Sequence, residues 1–161
     1  MRYEYVYVSI YGQPSSGQVA SDPTERYPTR MKIPAEISLV ALGGAAGAVA
    51  RYWASGIVYR LTGPGFPWGT LVVNLLGCFL IGVVIVVLET TIQSGALRAA
   101  VAIGFLGAFT TFSTFSYETL ALLQDGDWLR AGAYVGGSVM VGLLAVAAGF
   151  GAAGLMLFGR G

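Results

Sequence analysis

The residues with the clearest chemical potential form one run, from Gly104 to Thr119, in which six hydroxyl side chains alternate with aromatic ones. On a helix, Phe112 and Phe115 share one face, and Ser113 and Ser116 share the face beside it. Aromatic ring edges carry partial positive charge and hydroxyls donate hydrogen bonds, so such a surface binds a small anion weakly enough to release it. The structural alternative is that these hydroxyls bond to backbone or to neighbouring helices while the rings pack. The run therefore indicates either a path for a small anion or a packing face.

The same run contains a segment in which a helix is easily interrupted. Gly107 is followed by the paired β-branched residues Thr110 and Thr111, and both residue types weaken a helix. A break would free backbone carbonyls and turn the partly positive end of a half-helix towards an ion. We predict that this helix is broken at mid-membrane.

Five further positions place polar or charged groups in apolar surroundings. The Asn74 amide needs either an interhelical hydrogen bond or a role in a site. Arg51 favours an anionic ligand, unless it extends to the membrane surface. Tyr134 and Ser138 are four residues apart and share a face, on which they could line a path. Glu118 lies near the end of its helix and is either a site residue or an ordinary interfacial charge.

The elements that position these residues follow from composition. The 161 residues are 55% hydrophobic and 11% charged, against roughly 25% charged in soluble domains. No charge occurs at positions 61–88, 99–117 or 131–159, and about 20 apolar residues suffice to cross a bilayer as a helix. We predict an all-α integral membrane protein whose domain, residues 35–161, has four transmembrane helices, near 37–60, 69–88, 98–122 and 130–158.

Composition also excludes several functions. The chain has no His, which removes His-based catalytic triads and His metal sites, and its single cysteine, Cys78, allows no internal disulfide or cysteine metal cluster. An intramembrane serine hydrolase would lack a base, so we expect no enzyme. A net charge of +1 gives no reason to expect a nucleic-acid partner.

Residues 1–34 differ from the rest, being rich in Tyr, Ser and Pro without an apolar run of signal-peptide type. We expect a disordered extension, and Met31 is a possible true start.

Basic residues in the predicted loops are balanced across the membrane. Without residues 1–34, Arg98 and Arg160 fall on one side and Arg60 and Arg130 on the other, so no positive-inside bias fixes the orientation. Arg26, Arg30 and Lys32 of the extension would break this tie, so insertion both ways would require translation to start at Met31. This balance indicates either a weakly determined topology or a protein that inserts both ways and pairs head to tail.

Three motifs match a known family. They are Gly43-Gly44 with Gly47 and Arg51-Tyr52, then Gly69-Thr70-Leu71-Val72-Val73-Asn74, then Gly107-Ala108-Phe109-Thr110-Thr111-Phe112-Ser113-Thr114-Phe115-Ser116. Over about residues 40–150 the chain resembles the Fluc (CrcB-type) fluoride channels. Ala108 stands where that family's motif has Gly, and residues 1–34 have no counterpart.

This resemblance implies an antiparallel, dual-topology homodimer in the inner (plasma) membrane that conducts fluoride passively and selectively, giving fluoride resistance. It implies a fluoride pore lined by Phe112, Phe115, Asn74, Ser113, Thr114, Thr70, Tyr134 and Ser138, with Arg51 and Glu118 as charges at its vestibule and end. It also implies a central structural sodium ion held by the backbone carbonyls of Gly107 and Thr110, with no organic cofactor. The rival hypothesis is a small dual-topology, proton-coupled exporter of cationic compounds, which would need an acid inside the first span, where this chain has Arg51.

Overall fold

The computed structural model of the protein describes residues 33–91 and 94–159. Residues 1–32 of the predicted N-terminal extension, with the possible start at Met31, lie outside the described residues. Positions 33 and 34 belong to the first helix.

The described chain is all-helical, and four of its helical stretches are long and apolar enough to cross a membrane, which confirms the predicted number. The third stretch is built from several helical pieces. The elements are α1 (Ile33–Thr62), α2 (Trp68–Thr91), α3 (Gly95–Ala99), a π-helical segment (Ala100–Leu106), α4 (Gly107–Phe109), α5 (Phe112–Gln124) and α6 (Trp128–Phe158).

Short turns join α1 to α2 and α5 to α6 because each contains a glycine in the left-handed backbone region, Gly63 at φ 76° and Gly126 at φ 79°. The two turns meet, since the Arg130 guanidinium donates to the Gly65 carbonyl over 3.5 Å and bonds Asp127 at 3.1 Å. Both turns therefore lie at the same end of the bundle, as expected for sequential antiparallel helices.

Glycines allow the helices to approach until their backbones touch. A Cβ atom built on Gly43 would collide with the Ala100 carbonyl oxygen, and one on Gly47 with the Phe105 carbonyl oxygen. Between α2 and α6, Gly149 lies in the same way against the Phe79 carbonyl. Contact through small residues is how helices pack in lipid, where apolar burial alone gives no driving force between them.

The third stretch is interrupted at Thr110 and Thr111, whose backbones are extended. Thr110 has ψ 158° and Thr111 has φ −148°, and helical geometry resumes at Phe112. The π-helical segment Ala100–Leu106, a wide turn type found mostly at functional sites, lies immediately upstream of α4 and this break.

Large apolar side chains cover the outside of the single protomer. Leu129 is 86% exposed, Leu61 81% and Phe112 79%, whereas the fully buried large side chains of the described region are Tyr134 and Val73. Lipid or another protein must cover such a surface, as in membrane proteins generally.

The close approach of α1 to the π-helical segment predicts a strong effect of one added methyl group. Gly47→Ala must push the Phe105 backbone away, at a cost of about 1–3 kcal/mol. We expect a clearly lower temperature at which the detergent-purified protein loses its monodisperse peak on size-exclusion chromatography. The matched control on the same helix is Gly56→Ala, where an added Cβ meets nothing within 4 Å. If both variants lost the monodisperse peak at the same temperature, the close contact between Gly47 and the Phe105 backbone would be contradicted.

Candidate functional site

The Glu118 carboxylate connects all four long helical stretches. Its Oε1 atom accepts hydrogen bonds from the Tyr59 hydroxyl of α1 at 2.7 Å and from the Thr70 hydroxyl of α2 at 2.9 Å. Its Oε2 atom accepts from the Tyr134 hydroxyl of α6 at 2.7 Å. Thr70 is 3% exposed and Tyr134 is fully buried. Glu118 is therefore a half-buried carboxylate held between the helices by three hydroxyl protons, a charge-assisted arrangement stronger than neutral hydrogen bonds.

The Asn74 side chain closes the helix break. Its Nδ2 atom donates to the Thr111 carbonyl at 3.1 Å, and its Oδ1 atom accepts from the Thr111 N–H at 2.8 Å. One amide thus satisfies both backbone groups of an extended residue, as a neighbouring strand would do. The interhelical hydrogen bond considered for Asn74 from sequence is present, and it fixes the point at which the helix restarts.

Thr111 also caps the N-terminus of α5. Its Oγ1 atom accepts from the Thr114 N–H at 3.2 Å and lies 3.0 Å from the Thr114 hydroxyl and 3.3 Å from the Ser113 hydroxyl. Such a cap satisfies one of the free N–H groups in the first turn of a helix. The cap therefore gathers three hydroxyls at the partly positive end of α5.

Arg51 lies on the other side of the break. Its guanidinium donates to the Thr110 carbonyl oxygen over 3.4 Å. The Thr110 carbonyl ends the upstream half-helix, where the helix dipole is negative, so a cation stabilises it there. Arg51 therefore contacts the broken segment itself.

The aromatic residues form a continuous row along one side of the site. Ring centroids are 5.7 Å apart between Phe112 and Phe115, 5.1 Å between Phe115 and Tyr134, and 5.5 Å between Tyr134 and Phe66. The Phe66 and Tyr134 rings meet edge to face, at 81°. The two phenylalanines predicted to act together are thus neighbours, and a loop residue supports the tyrosine behind them.

An open cavity of about 450 Å³ collects the polar and aromatic residues near the break. Asn74, Gly107, Thr110, Phe112, Phe115 and Ser138 are among the residues that line it. The Ser138 hydroxyl oxygen is buried and has no hydrogen-bond partner within the described protein. Buried hydroxyls are normally bonded, so this one is available to a water molecule or a ligand.

A second cavity of about 220 Å³ lies between α1, α2 and α5. Arg51, Tyr59, Thr70, Thr114 and Glu118 belong to its wall. It therefore places a cation and a carboxylate in one polar recess, on the Arg51 side of the break.

The twelve residues predicted for the pore, its charges and the metal site are thus found at the break, in the Glu118 cluster or on a cavity wall. Three contributors were missed: Tyr59, Thr111 as cap and pairing partner, and Phe66. A threonine directly before a helical run, as at Thr111, is a sequence signal for a helix cap, whereas nothing local to Tyr59 or Phe66 indicates their partners. Two hydroxyls of the motif bond to their own helix instead, Ser116 to the Phe112 carbonyl and Thr119 to the Phe115 carbonyl.

Known proteins match the part of the chain that carries this site. Residues 38–150 match the family described as CrcB-like protein, Camphor Resistance (CrcB). The fluoride-specific ion channel FluC of Geobacter sulfurreducens is 52% identical over 118 residues, which are 73% of this chain and 95% of that protein. The protein of the same name from Nitrosococcus oceani is 46% identical over 116 residues, 71% of this chain and 93% of its own length. A third FluC, from Solidesulfovibrio magneticus, is 48% identical over 115 residues, 71% of this chain and 92% of that protein.

The matched residues contain the interrupted helix, Asn74 and the whole Glu118 cluster, so the similarity includes the site and not only the apolar helices. The resemblance predicted from the three sequence motifs is confirmed: this multi-pass membrane protein belongs to the CrcB-like family.

Proposed function

We propose that the protein is a passive, fluoride-selective channel. The observation that carries the proposal is the Phe112–Phe115 pair at the start of α5, with Phe112 exposed and Phe115 half-buried, directly beside a helix break and its gathered hydroxyls. Relatives sharing about half of the aligned residues carry the name fluoride-specific ion channel. In this chain, the aromatic ring edges and hydroxyl donors beside the break are the groups with which such a channel would bind an anion.

The site suits a small, strongly hydrated anion for a physical reason. Hydroxyl donors, ring edges and a helix N-terminus each offer partial positive charge. None of these groups carries a full positive charge that would bind the ion too tightly for release. Ser138 adds a buried hydroxyl with no hydrogen-bond partner among the described residues, on the same cavity wall as Phe112 and Phe115. We assign Phe112, Phe115, Asn74, Ser113, Thr114, Thr70, Tyr134 and Ser138 to the fluoride pore, with Arg51 and Glu118 as the charges at its vestibule and end.

The break lies near the middle of its membrane span, by residue count. From Gly95 to Phe109 the chain has 15 residues, and from Phe112 to Gln124 it has 13. We infer that the freed backbone groups lie at mid-membrane, where irregular backbone is tolerated only if protein or a water-filled cavity surrounds it. The Asn74 pairing and the adjacent cavity meet that condition.

We infer that two copies associate as an antiparallel homodimer with dual topology. Phe112 is 79% exposed in one protomer, so a second copy is needed to enclose it. Arg60 and Arg130 lie towards one end of the bundle and Arg98 towards the other, so a chain that starts at Met31 has no strong charge bias to set its orientation.

A structural sodium ion at the dimer interface fits the residues present. Sodium is a hard cation that oxygen atoms bind, and backbone carbonyls freed at the break can supply such oxygens. The Thr111 N–H bonds Asn74 rather than the Gly107 carbonyl, and Gly107 is exposed on the protomer. The Gly107 and Thr110 carbonyls of two copies would offer four hard oxygen donors to a cation that joins the subunits.

In a cell, the channel would act as an exporter in the inner membrane. Fluoride enters as its neutral acid and is retained as the anion, and an interior-negative potential favours anion exit by about 2.3 kcal/mol per 100 mV. A passive pore therefore suffices for fluoride resistance.

Fluoride efflux from liposomes tests the proposal directly. We expect the purified dimer to release fluoride from potassium-loaded vesicles treated with valinomycin and to release no chloride. Phe112→Ile removes the ring edge and should lower the efflux rate at least about tenfold. Phe150→Ile on α6, 42% exposed, serves as the matched control and should keep the wild-type rate. No fluoride release by the folded wild-type dimer would overturn the proposal, and a proton-driven assay with a cationic compound would then test the exporter hypothesis.

Loss of the amide at the break should reduce conduction as well. Asn74→Ser leaves the Thr111 N–H and carbonyl without partners, at a cost of about 1–3 kcal/mol for each buried group. We expect at least a tenfold slower fluoride efflux and a lower melting temperature. Thr119→Val is the control, because it removes a hydroxyl that bonds only its own helix. Wild-type efflux by Asn74→Ser would show that the pore does not depend on this pairing.

Orientation in the membrane can be measured with one engineered thiol. In a Cys78→Ala chain that starts at Met31, Gly65→Cys places a thiol in the exposed turn between α1 and α2, where a Cβ meets nothing within 4 Å. A membrane-impermeant maleimide added to intact cells should label about half of the copies. Adding Gln124→Lys, at the same end of the bundle, should lower that fraction by holding this end in the cytoplasm. Labelling of all copies or of none without the added lysine would refute dual topology.

A further inference from the structure

We propose that Tyr59 is a positioning residue for the Glu118 carboxylate and thereby sets how readily the pore hydroxyls of Thr70 and Tyr134 become available to fluoride. The inference rests on the proposed fluoride conduction. It concerns a residue of α1, outside the three sequence motifs and outside the aromatic row.

The placement of Tyr59 is specific. Its hydroxyl donates to Glu118 Oε1 at 2.7 Å, as short as the bond from Tyr134 to Oε2. Its ring packs closely against the start of α2, because a Cβ built on Gly69 would overlap ring atoms of Tyr59 and would also come within 2.9 Å of the Ser55 carbonyl oxygen. Only a residue without a side chain leaves room for this approach, so Gly69 directs the Tyr59 hydroxyl onto the carboxylate.

The hydroxyl protons in the cluster are limited in number. Each hydroxyl has one proton, and in this structure Thr70 and Tyr134 both give theirs to Glu118. Neither can donate to fluoride at the same time. Fluoride and the carboxylate therefore compete for the same two donors.

Tyr59 affects this competition because its hydroxyl and the Thr70 hydroxyl donate to the same carboxylate oxygen, Oε1 of Glu118. Tyr59, Thr70 and Glu118 all lie on the wall of the second cavity, with Arg51, and none of them lines the cavity that holds Phe112 and Phe115. A third donor from that side spreads the negative charge of Glu118 and weakens its hold on Thr70. Without the Tyr59 hydroxyl, Oε1 would depend on Thr70 alone, and the carboxylate would repel fluoride more strongly.

The test is Tyr59→Phe, which keeps the ring on Gly69 and removes only the hydroxyl. We expect fluoride efflux about 5- to 10-fold slower than wild type, the scale of the net contribution of one ordinary hydrogen bond. Tyr117→Phe is the matched control, since Tyr117 adjoins Glu118 in sequence but is 75% exposed, and it should retain wild-type efflux. In a Glu118→Gln background, where no charge holds the hydroxyls, the same Tyr59→Phe change should alter efflux less than about twofold.

A spectroscopic measurement keeps the inference testable if Glu118→Gln conducts too slowly to compare. The carboxylate stretch of Glu118, identified in infrared spectra by its loss in Glu118→Gln, should shift in Tyr59→Phe and stay in place in Tyr117→Phe. An unshifted band, or wild-type efflux by Tyr59→Phe, would overturn the inference while leaving fluoride conduction intact. Failure of the wild-type protein itself to release fluoride would instead overturn the proposed function.

Discussion

The pairing of the Asn74 amide with the Thr111 backbone is the interaction on which the rest of the site depends. A helix cannot be interrupted inside a membrane unless protein groups or enclosed water satisfy the freed N–H and carbonyl groups. Asn74 satisfies both groups of Thr111 with one side chain. The break can therefore exist, and with it the free start of α5, the gathered hydroxyls and the outward turn of Phe112.

On α5, the Glu118 carboxylate also needs hydrogen-bond partners from the neighbouring helices. A carboxylate inside the bundle is costly unless several donors hold it, and α1, α2 and α6 each supply one hydroxyl. These three bonds fix α5 relative to the other helices after the break has separated it from the upstream half. The upstream half is fixed differently, by backbone contact with the glycines of α1 and by the Arg51 bond to the Thr110 carbonyl. Two kinds of contact thus hold the two halves at a defined angle.

In the single protomer the interior is well packed, whereas much of the outer surface is apolar and uncovered. Its polar groups are mostly paired within the bundle, whereas Phe112, Gly107 and much of the apolar surface remain exposed. An ion path enclosed by one chain would need more polar wall than these four helices provide. A second copy would cover Phe112, and the proposed pore and sodium site both require it.

The sequence by itself determined the class of protein and the residues from which a functional site could be built. Long stretches without charge predict four membrane helices because lipid excludes charge, and the Thr-Thr-Phe-Ser-Thr-Phe-Ser run marks the family through chemistry that is local to one helix. Gly107 and the paired threonines also indicated a weak point in the third helix, and the break lies at those threonines.

Only the tertiary structure decided which of the polar residues meet. Asn74 and Thr111 are 37 positions apart, and Tyr59 and Glu118 are 59 apart, so no periodicity within one helix relates them. Helical spacing specifies the faces of a single helix, but the partner of a side chain depends on the rotation and depth of every neighbouring helix. Those are set by where glycines such as Gly47 and Gly69 let the neighbours come close, which is why Tyr59 could be recognised only after the helices were packed.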